Sequence, residues 1–247
     1  MKRFLLSVLL LMSLPVVAFG QQEVTKFLGI PVDGSRSKMI RKLIKKGFKP
    51  SSLDRNTLMG EFNGENSFVS VMTNRNKVWR VCVIDVVGRD EHEIKVRFNQ
   101  LCEEFFESGR YVTEREHVLA SLTRNVKYVS TSDSPDNYML SDDDDISHGI
   151  SCNDTIYGVS FCQLPTKSDT TEVMKEVMTV FVDKYSVVQM SNPTEEVRAE
   201  MRAEAVKRLD EQTSMRAVWF RIHEIDGKYR IALYYDNKYN EASGEDL

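Results

Sequence analysis

The polar and apolar positions of this chain change period several times, and each change marks an element. Residues 4–14 form an apolar run interrupted only by Ser7 and Ser13. Beyond residue 20 the pattern becomes amphipathic. Met39, Ile40, Leu43 and Ile44 recur at helical spacing, which predicts a helix capped by Ser35 or Ser37, with Gly47 as its stop. Two apolar stretches, 57–62 and 67–73, flank Asn63-Gly64. That pair predicts a type I′ hairpin, because both central residues of the turn need φ > 0. A turn at 74–76 leads into 77–87, which is apolar at odd and even positions alike. It reads as a central strand covered on both faces.

Helical spacing returns at Ile94, Phe98, Leu101 and Phe105, predicting a helix over 90–107. Residues 109–147 are the least regular and end in an acidic run, and 147–163 read as a hairpin turning near Asn153-Asp154. Val173, Val177, Phe181 and Tyr185 predict a helix over 169–185. Asn192-Pro193-Thr194-Glu195-Glu196 starts another: a cap, Pro in the first turn, and acids at the positive helix end. The helices are interspersed with antiparallel hairpins and show no alternating βαβ order. This predicts an α+β fold of hairpins and meanders with packed helices. A helix followed by a meander occurs in each half, which admits two similar halves. The divisions are a leader at 1–20, a helix-plus-meander module at 21–110, and a hairpin/helix/hairpin module at 111–247, as two lobes or one body.

The last hairpin is the most informative. Asp226-Gly227 predicts a two-residue type I′ turn. Counting outward pairs Glu224 with Tyr229, His223 with Arg230, Ile222 with Ile231, Phe220 with Leu233 and Trp219 with Tyr234. Alternation then puts Val218, Phe220, Ile222, Ile231, Leu233 and Tyr235 on a core face. Trp219, Arg221, His223, Arg230, Tyr234 and Asp236 take the other. An aromatic cross-strand pair beside three potential cations has two readings. Either a helix partly covers Trp219 and Tyr234, or the face is a partner-binding patch of hot-spot residues.

The chain has 247 residues, 41% hydrophobic and 28% charged, enough for a globular core. Its net charge of −4 argues against bulk nucleic-acid binding. Lys2 and Arg3 ahead of the apolar run, then Pro15 and the small residues Ala18 and Gly20, form a secretory signal peptide cut after Gly20. The alternative, a membrane anchor, needs about 20 apolar residues and finds fewer here. The expected mature chain is exported and soluble, in the periplasm or outside the cell, with no transmembrane span. Cys82 and Cys102 read as buried small hydrophobes. Cys152 and Cys162 flank a hairpin and could pair, but sequence does not choose among the pairings of four cysteines.

Positive charge is concentrated in one place. Arg36, Lys38, Arg41, Lys42, Lys45, Lys46 and Lys49 surround the polar face of the first helix. This reads either as a solvated face suited to a helix end or as contact with an anionic surface, such as lipid headgroups or envelope polysaccharide. Chemistry-bearing motifs are sparse. His92, His117, His148 and His223 form no compact ligand motif, so no metal is assigned. His148 and Cys152 are four apart, about 13 Å on a strand, too far for a nucleophile and its base. The acids at 142–145 lack the spacing of a calcium loop. Phosphate-binding glycine loops and Gly-x-Ser-x-Gly are absent, so no cofactor and no catalytic residue is assigned. A hydrolase built from scattered carboxylates such as Asp133, Asp136 or Asp236, and an inhibitor of a secreted enzyme, stay open beside a non-enzymatic binding protein.

Three segments carry a resemblance: Phe27-Leu28-Gly29-Ile30-Pro31-Val32-Asp33-Gly34-Ser35, Leu58-Met59-Gly60-Glu61-Phe62-Asn63-Gly64, and Tyr234-Tyr235-Asp236-Asn237-Lys238-Tyr239-Asn240 with Gly244-Glu245-Asp246-Leu247. Together they resemble an uncharacterised exported family of gut Bacteroidetes. The resemblance implies an envelope or extracellular location and brings no activity or catalytic residue. Residues 27–87, a capped helix followed by a meander, also look like the module of β-lactamase-inhibitor-like proteins and small outer-membrane assembly lipoproteins, which are binding modules. The expected partner is another protein or envelope component.

Overall fold

The computed structural model describes residues 23–52, 54, 56–113, 158–185 and 187–242. Strands β1 (Lys26–Phe27) and β2 (Ile30–Pro31) form a small hairpin ahead of helix α1 (Arg36–Lys45). Ser35 occupies the N-cap, but its backbone carbonyl rather than its side chain receives the first helical bonds, from Lys38 and Met39. Gly47 ends the turn at φ 105°, in the region that favours glycine. Four strands follow or flank: β3 (Lys49–Pro50), β4 (Thr57–Phe62), β5 (Glu65–Asn74) and β6 (Lys77–Asp85). Asn63 and Gly64 both have positive φ, at 49° and 73°, as a type I′ turn requires. The turn predicted at 74–76 is two residues, Arg75 and Asn76, also of positive φ, so β5 is longer than its apolar run.

Helix α2 (Glu91–Glu107) begins at Asp90 with a full capping box to Glu93. Then come β7 (Tyr111–Thr113), β8 (Gly158–Gln163), α3 (Lys167–Lys184), α4 (Val187–Ser191), α5 (Glu195–Ser214), β9 (Ala217–Ile225) and β10 (Lys228–Asp236). The cap of α5 is Thr194, whose hydroxyl accepts from the Val197 amide at 3.4 Å, and not Asn192. Because α4 runs to Ser191, Pro193 falls in the extended link before the cap, where its fixed φ fits, rather than in the first turn.

The protein is α+β, with a two-stranded sheet (β1-β2) and an eight-stranded antiparallel sheet in the order β3-β4-β5-β6-β10-β9-β8-β7. That order is symmetrical about its middle. Each half contributes a helix followed by four strands, α1 with β3 to β6 and α2 with β7 to β10, and the last strands of the two halves pair. Tyr234 lies opposite Cys82 there and Asp236 opposite Arg80. One sheet therefore crosses the division drawn at residue 110. Helices α3 to α5 are inserted between β8 and β9 and have a small core of their own around Val173, Val177 and Phe181.

Both α1 and α2 cover the same sheet face. Met39 and Leu43 from α1, and Ile94, Phe98, Leu101 and Phe105 from α2, join one core with Val69, Val81, Val83, Phe220 and Leu233. Ile44, predicted in the apolar stripe of α1, is instead exposed. Two segments distant in sequence are tied across this body: Asn237 donates to the Val32 carbonyl at 2.8 Å, and Asn240 to the Asp33 carboxylate at 2.8 Å. Among the described residues no helix is long and apolar enough to cross a membrane.

Candidate functional site

The site is built on β9 and β10. Asp226 and Gly227 have φ of 54° and 70°, and the pairs run Ile225–Lys228 through Trp219–Tyr234, in the predicted register. The two faces sort as alternation requires. Val218, Phe220, Ile222, Ile231, Leu233 and Tyr235 are buried in the helix-covered core. Trp219, Arg221, His223, Arg230 and Tyr234 are half-buried on the other face.

Trp219 and Tyr234 stack with ring centroids 4.0 Å apart and planes 18° from parallel. Asp236 accepts the indole N–H at 2.8 Å, and Arg80 from β6 grips both oxygens of that carboxylate at 2.6 Å each. The Arg80 guanidinium also lies 5.2 Å from the Trp219 ring centre and 5.1 Å from that of Tyr234. These ring contacts come from strands and not from a covering helix. Among the described residues the patch is therefore a network of strand side chains on the sheet face opposite α1 and α2. Its bidentate ion pair locks the carboxylate that locks the indole.

Arg221 Nε donates to His223 Nε2 at 2.7 Å, and the Tyr234 hydroxyl lies 3.1 Å from the same nitrogen. His223 must then be neutral at Nε2. Burial and the neighbouring Arg221 charge both lower its pKa from the ordinary 6.5. A folded form that holds this imidazole neutral gains stability that is full above 6.5 and is lost as the pH falls below it. Thermal midpoints measured from about pH 7.5 down to about 5.5 should show the wild type losing stability relative to H223Q, whose amide oxygen cannot be protonated. Parallel curves would mean that His223 is protonated in the folded protein and the assigned bond is wrong.

Burial also raises the Tyr234 hydroxyl, and it pushes the neighbouring Cys82 thiol up to about 11. Cys82 is thus a protonated, unreactive packing residue at neutral pH. For Arg80, burial alone would lower the pKa, but the bond and charge of Asp236 more than offset it.

Beside Trp219, on the side away from Tyr234, lies a slot of about 340 Å³. Its floor is β8, where Ser160 sits opposite Trp219 and Gly158 opposite Arg221, and Asp236, Lys238 and Glu241 close one end. A second cleft, of about 460 Å³, opens on the helix-covered face beside Phe62, Phe105, Tyr235 and Arg216. Two of its cations are already matched, Lys26 by Glu23 at 2.9 Å and Arg216 by Asp169 at 3.0 Å.

The structure thus brings Trp219, Arg221, His223 and Tyr234 together and parts Arg230 from them. The Arg230 guanidinium donates to the Asp85 carbonyl at 3.2 Å and to the Val86 carbonyl, tying down the turn after β6. The basic patch lies elsewhere. Lys38, Arg41, Lys42, Lys45, Lys46 and Lys49 are exposed on and after α1, while Arg36 is half-buried and donates to the Asn56 carbonyl at 3.1 Å. Since α1 covers the core face, this patch and the aromatic patch face opposite ways. His92 is exposed near the start of α2. His117, His148, Cys152, Asp133, Asp136 and the acids at 142–145 lie outside the described residues.

Sequence reasoning missed Arg80, Gly158 and Ser160. The strand 77–87 reads as apolar on both faces, yet the outward set of β6 is Arg80, Cys82 and Ile84. The signal was Arg80 itself, a charge inside an apolar strand that needed a partner. Among the described residues no three His, Cys, Asp or Glu side chains converge as metal ligands. Asp236, weighed as a hydrolytic carboxylate, has both oxygens committed to Arg80 and Trp219.

Comparison with known protein families, curated proteins and solved structures finds no match to this chain.

Proposed function

We propose that this is an exported, non-enzymatic binding protein that engages a macromolecule through the sheet face around Trp219. The observation that carries this reading is the Trp219–Tyr234 stack, held in place by Asp236 and Arg80 and half-buried with Arg221 beside it. Trp, Tyr and Arg are the residues that dominate binding energy when a partner covers them. A ring already fixed by strand neighbours loses little freedom on binding. Export is supported by the charged, apolar and small-residue pattern of residues 1–20. The resemblance to exported Bacteroidetes proteins agrees with it, and the likeness to inhibitor-like modules favours binding over catalysis.

Two measurements test the two parts. Intact mass of the protein recovered from outside the cytoplasm should show a chain beginning at Gln21, and retention of residues 1–20 would remove the export reading. Immobilised residues 21–247 should retain an envelope component that the W219A column does not. Equal retention on both columns would remove the Trp219 face as the binding surface.

A further inference from the structure

Tyr234 covers one face of the Trp219 ring, Asp236 takes the N–H, Arg80 fixes Asp236, and the Arg221 guanidinium lies 5.8 Å from the ring centre. On the sheet, Tyr234 flanks Trp219 on one side and Ser160 flanks it on the other. Among the described residues the indole lines the slot over β8, with Arg221 at its edge. Small residues keep that slot open. Gly158 leaves it unfilled, and a Cβ there would come within 2.8 Å of the Phe220 carbonyl oxygen, so nothing larger fits without moving the strands. Ser160 and Ala217 are the other floor positions.

The indole surface is flat, apolar and electron-rich. Around it, donors and acceptors mix. Ser160 can give or take a hydrogen bond, and Arg221 has donors beyond the one used on His223. Lys238 donates and Glu241 accepts. A phosphate or carboxylate ligand would satisfy the donors and meet Glu241 with like charge. Hydroxyl groups satisfy both kinds of partner, because each gives and takes. A ring with one C–H face and a rim of hydroxyls matches a flat apolar wall with a mixed polar edge. Among the described residues the slot is open on its outer side, so a ring that is one unit of a longer chain can sit in it while its neighbours run past.

We propose that the slot beside Trp219 receives one sugar ring of a neutral polysaccharide, its C–H face on the indole and its hydroxyls on Ser160, Arg221, Lys238 and Glu241. This rests on the reading that the Trp219 face is the binding face.

The test is native electrophoresis of residues 21–247 through gels containing dextran, mannan, laminarin or xylan, with dextran sulfate as an anionic control. At least one neutral polymer should retard the wild type, and the retardation should survive high salt. W219A should weaken it by roughly tenfold or more, the scale of losing one stacked ring. Ser160→Val fills the floor without removing the indole, and should weaken binding comparably while leaving the thermal midpoint near wild type. Retardation by dextran sulfate alone would overturn the proposal, as would no retardation by any neutral polymer, or retardation unchanged in S160V and W219A. If the neutral polymers fail but a retained envelope protein is lost on the W219A column, the sugar proposal falls and the Trp219 reading stands. If W219A changes neither, both fall.

Discussion

Replacing Asp169 by Ala is expected to cost about 3–5 kcal/mol, because it leaves a buried guanidinium without its counter-charge. Asp169 and Arg216 have side chains 0% and 2% exposed and meet at 3.0 Å. Arg216 is also held by the Glu23 carbonyl at 3.3 Å and by Gln212 at 3.4 Å, so it joins the start of the described chain, the end of α5 and the start of α3. Asp169 does a second job as the third residue of the α3 capping box, taking the Thr166 amide at 2.6 Å. Losing that cap adds about 1 kcal/mol. The sum is a large part of the ~5–15 kcal/mol that holds a typical domain together. Burial alone would raise the Asp169 pKa, but the Thr166 amide and Arg216 outweigh it and hold the carboxyl below its ordinary 3.8. Its contribution is therefore full above 3.8 and lost as the pH falls below that value. Urea unfolding should show a loss near the stated size for D169A and a smaller one for D169N, which keeps an oxygen for the cap. A D169A loss under about 1 kcal/mol would mean that water reaches the pair and screens it.

What was legible in the sequence follows from how local each cause is. The hairpin turns at 63–64, 74–76 and 226–227 and the sorting of β9 and β10 into two faces come from residues adjacent in the chain, whereas the fourth positive-φ turn, Leu28-Gly29 between β1 and β2, went unread. Asp226-Gly227 sets the register, and the period of two does the rest. The helix over 90–107 was equally local, since its cap and its apolar stripe lie on one segment. Strand partnership was not legible. Nothing near β6 says that β10 will lie beside it, and Arg80 and Asp236 are 156 positions apart. The site inherits that limit. The Trp219–Tyr234 pair could be counted out from its turn, but the ion pair that fixes it and the β8 floor beside it needed the sheet order. Alpha-helical stripes were over-read where little packs on them. In α1 only Met39 and Leu43 are buried, with Ile40 partly so, and Ile44 is 44% exposed.

The second large effect separates two neighbours on β9. Phe220 is 0% exposed, and its ring centre lies 5.1 Å from that of Phe98, 5.5 Å from Phe105 and 6.0 Å from Phe161. These rings join α2 to β8 and β9 at the middle of the core. Phe220→Ala should cost about 3–5 kcal/mol, from lost burial and from a cavity whose aromatic walls cannot close. The ring-ring geometry adds to the loss beyond the buried area. Trp219 is the larger side chain, and a scale based on size alone would rank its loss higher. Its position reverses the order. The ring is half-buried, the Arg80–Asp236 pair survives without it, and Trp219→Ala gives up chiefly one stack, one hydrogen bond and the Arg80 contact on the ring, about 1–2.5 kcal/mol. Urea midpoints of the two variants, read with unchanged slopes, measure the difference directly. F220A should lie far below W219A in stability, while W219A should be the variant that loses binding. If W219A is destabilised as much as F220A, the indole is packed on both faces, and the open wall on which the binding site depends is absent.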